Sequence, residues 1–486
     1  MRNMIKKVGA QYRFSKGGLS FKEKLILALP GPASVIGPII IHNALIKYYT
    51  DIIHINPVYI GWIYFIYNLW NAINDPLLGV FVDRFKFKES RGKYVYLMRV
   101  TAPVMLLSIF GMLFSNPSWS DWVIFAILLV ELFIFDTAYT VYSVAYQSYF
   151  LIAAPSKEER VDVDVIRTYI GNALGFLTTI VPTLLLVGNG NRMLIIPIFT
   201  AVIGVNALMY LVALRTLKDK AELYTNIPQE TKHQNFSEVW REAIDIIKSK
   251  SFLTYLLYYI TARGAIAYYF TPFLYFMDKV VKTSGLVATI ADVVPGIIML
   301  AILPVIGSLI KKIGSKSIII LSYIPALFGF FGLLVIKEAW QAVICYTFIV
   351  VSLNMCQTAG VTINGALIDE NERATGIRKT GLFNGIFALL TTTLVSFQSI
   401  IFTNIINWFG YDGNAAIQTE RAIQGIRIGA GLVPLIMGAI GLVPILLFPI
   451  GKTLEKELSE YSAGLRRSSI KSQEIDDCVK DAKGKV

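Results

Sequence analysis

Charge and sulfur are scarce in this chain. Of its 486 residues only 16% are Asp, Glu, Lys or Arg, and it has three histidines and three cysteines. So little charge, set against 55% hydrophobic side chains and a mean hydropathy of +0.58, excludes an ordinary soluble globule. Cys345, Cys356 and Cys478 have no metal-ligand spacing and make no even disulfide set, so neither zinc nor redox chemistry is implied. The sequence also lacks a nucleophile and base pair, a Gly-rich phosphate loop and a cluster of metal ligands. Catalytic residues, metal sites and bound cofactors are therefore not expected, and the chain does not read as an enzyme. The basic first 24 residues lack the apolar core of a cleavable signal peptide, which leaves the N-terminus in the cytoplasm.

What is present is a series of apolar runs, each long enough to cross roughly 30 Å of hydrocarbon as a helix. Between charged punctuation twelve spans are expected, at about 25–49, 57–81, 94–114, 121–150, 164–187, 193–214, 252–276, 284–310, 317–336, 340–367, 381–409 and 424–450. The net charge of +12 does not point to nucleic acid, because the Lys and Arg residues crowd into alternate loops and not onto one face. The basic segments are the N-terminal arm, the loop with Arg84, Lys86, Lys88, Arg91 and Lys93, and the loop with Lys311, Lys312 and Lys316. An even number of spans then puts both termini in the cytoplasm of a multi-pass protein of the cell membrane.

The fold class expected is an all-α integral membrane protein of two six-helix halves. Its parts are a cytoplasmic arm (1–24), a first half (25–214), a polar linker (215–251), a second half (252–450) and a polar tail (451–486). Within the linker Phe236, Val239, Trp240, Ala243, Ile244 and Ile247 recur at helical spacing, as in an amphipathic helix lying on the membrane or a plain packing helix. The halves repeat. Pro76-x-x-Gly79-x-x-x-Asp83-Arg84 is answered by Pro304-x-x-Gly307-x-x-x-Lys311-Lys312 at the end of span eight. Parallel repeats of this kind belong to carriers in which one half rocks against the other.

Polar groups inside spans are the candidate site residues, because a membrane interior tolerates them at a cost. Span one has Pro30, Pro32 and Pro38 with His42 and Asn43, and is expected to line a cavity for part of its length. On span two Asn71, Asn74 and Asp75 share a helical face with Gly79, a setting for proton carriage or cation coordination; capping or pairing of Asp75 is the structural alternative. Glu131 and Asp136 of span four are placed toward its outer part and left out of the site, while Tyr142 and Gln147 are taken as cavity residues. Arg167 follows Asp162 and Asp164 and reads as a gate ion pair or a sugar donor. In the second half Arg263 needs a carboxylate, with Asp292 the nearest in sequence; left unpaired, it would be free for an anion on the substrate, which would favour hexuronides. Asn354, Gln357, Asn384 and Thr392 complete the polar lining, some of them serving as interhelical glue.

Gly79-x-x-x-Asp83-Arg84 with Arg91-Gly92-Lys93 resembles the loop between helices two and three of the major facilitator superfamily. Asn71-Ala-Ile-Asn74-Asp75-Pro76 narrows the resemblance to the glycoside-pentoside-hexuronide cation symporters. Thr375-Gly-Ile-Arg-Lys-Thr-Gly381 and Gln424-Gly-Ile-Arg427 support it, and the layout of nearly the whole chain agrees. The resemblance implies a carrier of sugars or glycosides coupled to H+ or Na+. Two departures limit it. Of two acidic cation ligands on helix two of melibiose permease-like members only the second has a counterpart, Asp75, and the first falls on Asn71; the sugar-binding aspartates fall on Val35 and Ser143, a tryptophan on Gln147 and a lysine on Thr392, while an arginine matches Arg167. Galactoside specificity does not carry over. The expectation is a transporter of a small hydrophilic solute in a lipid bilayer, coupled through Asp75; the alternatives are a facilitator without coupling, a lysolipid carrier, a non-transporting sensor and a membrane enzyme.

Overall fold

The computed structural model describes residues 19–461 apart from 90, 155–156, 189–191, 220–240, 242–243, 377–382, 384–385, 388–389, 392–396 and 416. Regular structure among these residues is helical, with an isolated antiparallel bridge between Lys88 and Gly92. Helix closes its own hydrogen bonds, which is what a backbone without water requires. The arm up to residue 18, most of the expected amphipathic helix and the tail beyond 461 lie outside the described residues.

Among the described residues nine helices are long and apolar enough to cross a membrane. They are 21–40, 94–112, 121–150, 162–186, 193–216, 285–313, 315–335, 339–375 and 420–447. The second expected span is also one continuous helix, Pro57–Arg84, whose apolarity its own amides and carboxylate dilute. Asn56 starts it by accepting from Val58 N, and Pro57 occupies the first turn, where a missing N–H costs nothing. The seventh span is interrupted: Lys250–Tyr258, a π-turn at Tyr259–Arg263, Gly264–Ala267, Phe270–Tyr275 and a second π-turn at Phe276–Val280. Of the eleventh, Phe397–Trp408 is described as a helix. The tenth runs past its expected end at 367 to Thr375, where Gly376 takes a φ of 73° and stops it.

Wide π-turns also occur at Ile41–Leu45 and Ile428–Leu432. Such turns gather at functional positions. Here three of these four carry ionisable side chains: His42, Arg263, and Asp278 with Lys279.

The chain packs as two units. One comprises 1–231 with 277–289 and 399–422, the other 232–276, 290–398 and 423–486. Buried charge holds the first together. Lys24 Nζ lies 2.6 Å from Asp162, both buried, and so joins the starts of spans one and five. Lys47 Nζ, 1% exposed, lies 2.6 Å from Asp51 and 2.7 Å from Asp278. Lys279 stands 3.1 Å from Asp278, Tyr411 Oη donates to Asp51 at 2.7 Å, and the Gly188 amide donates to Asp278 at 2.9 Å. Buried ions cost several kcal/mol each to desolvate, so every one of these carboxylates needs this many partners. In the second unit spans nine and ten pack backbone to backbone: a Cβ on Gly329 would sit 2.8 Å from the Cys345 carbonyl oxygen.

Both units use one capping device. In the first, Asp219, just past span six, accepts from the amides of Lys93 and Val95 at 2.9 Å each, the first turn of span three. Arg99 of span three in return donates to the Leu214 and Leu217 carbonyls at 2.9 Å. In the second, Glu455, just past span twelve, accepts from Ser315 N at 3.1 Å and Ser315 Oγ at 2.6 Å, the start of span nine. Lys316 donates back to the Leu446 and Phe448 carbonyls at 2.9 and 2.6 Å. A left-handed glycine precedes each capped helix, Gly92 at φ 80° and Gly314 at φ 87°. The physical logic is the same twice over. A carboxylate answers the free N–H groups and positive end of one helix, and a cation answers the free carbonyls of another.

Removing the cap should cost about 0.5–2 kcal/mol. Asp219→Ala and Glu455→Ala are each expected to lower the thermal unfolding midpoint of the purified protein. Gly92→Ala should do the same, since its Cβ would sit 2.4 Å from Asp219 Oδ2, and its effect should not add to that of Asp219→Ala.

Candidate functional site

Span two presents Tyr67, Asn71, Asn74 and Asp75 at helical spacing, and Asp136 and Thr140 of span four, one turn apart, meet them. Asn71 Nδ2 donates to Asp136 Oδ1 at 2.7 Å, and Asn74 Nδ2 donates to Asp136 Oδ2 at 2.8 Å. Thr140 Oγ1 donates to Asp75 Oδ1 at 2.5 Å. The Tyr67 phenol faces the same Asp136 carboxylate, and the His42 ring lies 6.5 Å from the rings of both Tyr64 and Tyr67. Asp136 is 0% exposed and Asn74 4%. Asp75, in contrast, is exposed.

This arrangement corrects the reading of span four. Asp136 is not an outer residue free to meet water: it is the buried centre of the polar cluster. Hydrogen bonds to a charged group contribute about 1.5–3 kcal/mol each, so two amides offset much of what burying this carboxylate costs. Asn74 Oδ1, also buried, has no hydrogen-bond partner. A carboxylate beside a spare amide oxygen is a set of hard oxygen donors, suited to a proton or a small monovalent cation. Glu131, the other carboxylate left out of the site, presses Oε1 against Gly111 of span three.

The other expected residues scatter. Tyr142 is fully buried, its hydroxyl 3.3 Å from the Pro30 carbonyl and its ring edge-on to Tyr210 at 5.1 Å. No part of its ring is open to a solute, so it is a packing residue and not a lining one. Gln147 and Gln357 are exposed, and the Asn354 amide is used by its own helix, donating to the Val350 carbonyl at 2.9 Å. Arg167 pairs with Asp164, while Asp162 goes to Lys24. Its aliphatic stem runs against Gly31 of span one, where a Cβ would come within 2.7 Å of Arg167 Cδ. Arg263 is half-buried over the Tyr259 ring at 5.5 Å, and Asp292 lies by Tyr269 and Tyr346; the ion pair expected between them is not formed. Asn384 and Thr392 fall outside the described residues.

The loop motifs are placed as follows. Gly79 and Gly307 have open space where a Cβ would go. Arg84, Lys311 and Lys312 are exposed, and the side chain of Asp83 is outside the described set. Arg91 lies over the Phe85 ring at 4.3 Å and the Tyr96 ring at 5.2 Å, two rings that stack 6.0 Å apart. Lys93 lies over Tyr94 at 4.6 Å.

Residues 27–452 fit the model of the MFS/sugar transport protein family. The chain belongs to that family. It is therefore a membrane transporter of the major facilitator type and not an enzyme, in agreement with the symporter resemblance read from its motifs. YnaJ of Bacillus subtilis (strain 168), an uncharacterized symporter, is 21% identical over 427 residues, covering 85% of this chain and 88% of its own. YjmB of the same organism, also an uncharacterized symporter, is 23% identical over 404 residues, covering 82% and 85%. Among solved structures the nucleoside transporter NupG is similar with a TM-score of 0.64 at 13% identity, covering 88% of this chain and 99% of its own. A D-xylose-proton symporter is similar with a TM-score of 0.57 at 13% identity, covering 87% of this chain and 96% of its own. At such identities these structures speak for the fold alone.

The residue that sequence reasoning missed is Asp136. A signal was present: Asp136 and Thr140 stand four apart, which matches the three- and four-residue spacings of Asn71, Asn74 and Asp75. Two substitutions separate cluster from packing. Asn74→Leu should destabilise the purified protein by about 1–3 kcal/mol in thermal unfolding, since Asp136 loses one of its donors. Tyr142→Phe should leave the apparent affinity for transported solute unchanged in an uptake assay.

Proposed function

We propose that this transporter is a cation-coupled symporter of a small hydrophilic solute, a sugar or glycoside, and that Asp136 with Asn71, Asn74 and Asp75 binds the coupling H+ or Na+. It works by alternating access in the cell membrane, with both termini in the cytoplasm, on the strength of its basic loops. The observation that carries the reading is the buried Asp136 carboxylate, held by two amides and flanked by an unpartnered amide oxygen. An intramembrane carboxylate without a cationic partner is expensive, and charge compensation by a transported cation would relieve that cost in one state of the cycle. Asp75, bonded to Thr140 and exposed, gives the cation a second carboxylate on the way in or out. The relatives named as symporters, and the D-xylose-proton symporter among the structural neighbours, support the class.

The test is uptake of labelled glycosides, pentoses and hexuronates into proteoliposomes, with an imposed pH or sodium gradient and with none. Accumulation should follow one of the gradients. In Asp75→Asn and in Asp136→Asn it should fall by about tenfold or more, a loss of about 1.4 kcal/mol, while solute exchange without a gradient persists. Equilibrative uptake that neither substitution alters would remove the coupling and leave a facilitator. Absence of uptake for every sugar would favour a lysolipid carrier or a sensor.

A further inference from the structure

The starts of spans two and four form a groove that the coupling cluster does not use. Its volume is about 530 Å³, and it runs from Asn56 past the rings of Tyr59, Trp62, Trp122 and Phe125 to Ile66. Tyr59, Trp62 and Ile66 fall on one face of span two by helical spacing, as do Trp122 and Phe125 on span four. Asn56 caps span two and Ile66 lies ten residues further on, so at about 1.5 Å per residue the groove descends about 15 Å from the helix start. That is the depth of one leaflet, half of a hydrocarbon core about 30 Å thick. Below it the exposed apolar residues Leu69 and Ile73 of span two, and Val130 and Ile134 of span four, continue the same lipid-facing surface.

Three of the rings form a corner at the upper end. Tyr59 and Trp122 lie 5.2 Å apart at 68°, Trp122 and Phe125 5.6 Å apart at 66°, and Tyr59 and Phe125 6.1 Å apart at 71°. An interfacial aromatic belt asks only that rings sit at headgroup level. Here three ring planes meet almost at right angles around one cavity, the arrangement by which aromatic faces hold an alkylammonium group. The charge at the mouth agrees. Span four begins at Asp121, immediately before Trp122, and neither residues 52–56 nor residues 113–120, which lead into the two spans, include a Lys or Arg. A cationic headgroup is attracted there and an anionic one meets no counter-charge. We infer that the groove binds a phospholipid whose headgroup ends in an ammonium, with the ammonium in the corner of Tyr59, Trp122 and Phe125 and an acyl chain along Trp62 and Ile66. The site depends on neither the solute nor the coupling ion proposed above. Both helices start on the side opposite the basic loop that follows Arg84, so the orientation proposed above makes this a lipid of the outer leaflet.

Lipid binding to the purified, delipidated, full-length protein tests this without requiring transport. Native mass spectrometry would follow titration with palmitoyl-oleoyl phosphatidylethanolamine, with the same lipid acetylated on its amine, and with phosphatidylglycerol of the same chains. The first molecule of phosphatidylethanolamine is expected to bind at least about tenfold more tightly than either of the others. Trp122→Ala should bring that preference to within about twofold. Trp122→Phe should keep part of it, because a ring face remains. Trp340→Ala should leave it intact: Trp340, 62% exposed at the start of span ten against 66% for Trp122, lies outside the groove. Equal affinity for the three lipids, a preference for phosphatidylglycerol, or a preference that survives Trp122→Ala would overturn the site. Displacement of phosphatidylethanolamine by tetramethylammonium at equal concentration would also overturn it, because the occupant would then be a soluble cation and not a lipid.

Discussion

A carboxylate buried in an apolar protein interior must be answered locally, and the Asp136 side chain sets the terms for the first unit. Its two oxygens take the amides of Asn71 and Asn74, which fixes the rotation of the second helix about its axis and its register against the fourth. Asp75 and Thr140 then meet one turn further along both helices. The remaining faces follow from that rotation. Ile73, Leu77, Val80 and Phe81 are turned outward as exposed apolar residues, as lipid contact requires. A single buried charge thus decides which side of a 28-residue helix is chemical and which is merely greasy.

The same economy governs the helix ends. Asp219 and Glu455 stand at equivalent places in the two halves and do equivalent things to spans three and nine, although one is an aspartate on two backbone amides and the other a glutamate on an amide and a hydroxyl. Arg427 extends the pattern by donating to the Leu333 and Ile336 carbonyls at the end of span nine. The orphan groups at the ends of a helix are the same in any helix. The same capping chemistry therefore recurs in both halves with different side chains.

Charge in spans one and seven is handled differently. There the helices widen into π-turns, and His42, Arg263 and Asp278 sit in them. Lys47, Asp51, Asp278, Lys279 and Tyr411 form a closed network in which each ion is answered. Arg263 lies over the Tyr259 ring, and among the described residues no carboxylate pairs with it. Two cations in comparable helical settings thus have different surroundings, one among carboxylates and one beside an aromatic ring.

Much of the architecture was legible in order of residues alone. Apolar run length, the bias of Lys and Arg among loops, and the Gly79 and Gly307 motifs led to a helical carrier of two related halves, because the thickness of hydrocarbon and the cost of an unpaired backbone act on any sequence in the same way. The face shared by Asn71, Asn74 and Asp75 followed equally from helical periodicity. What periodicity could not supply was the partner: that Asp136 meets those amides, that Asp162 goes to Lys24 while Arg167 takes Asp164, that Asp292 leaves Arg263 alone, and that Tyr142 is packed away against Tyr210. These choices depend on how helices far apart in sequence rotate and approach one another, and rotation is decided by the sum of their packing, in which no single residue's chemistry announces its neighbour.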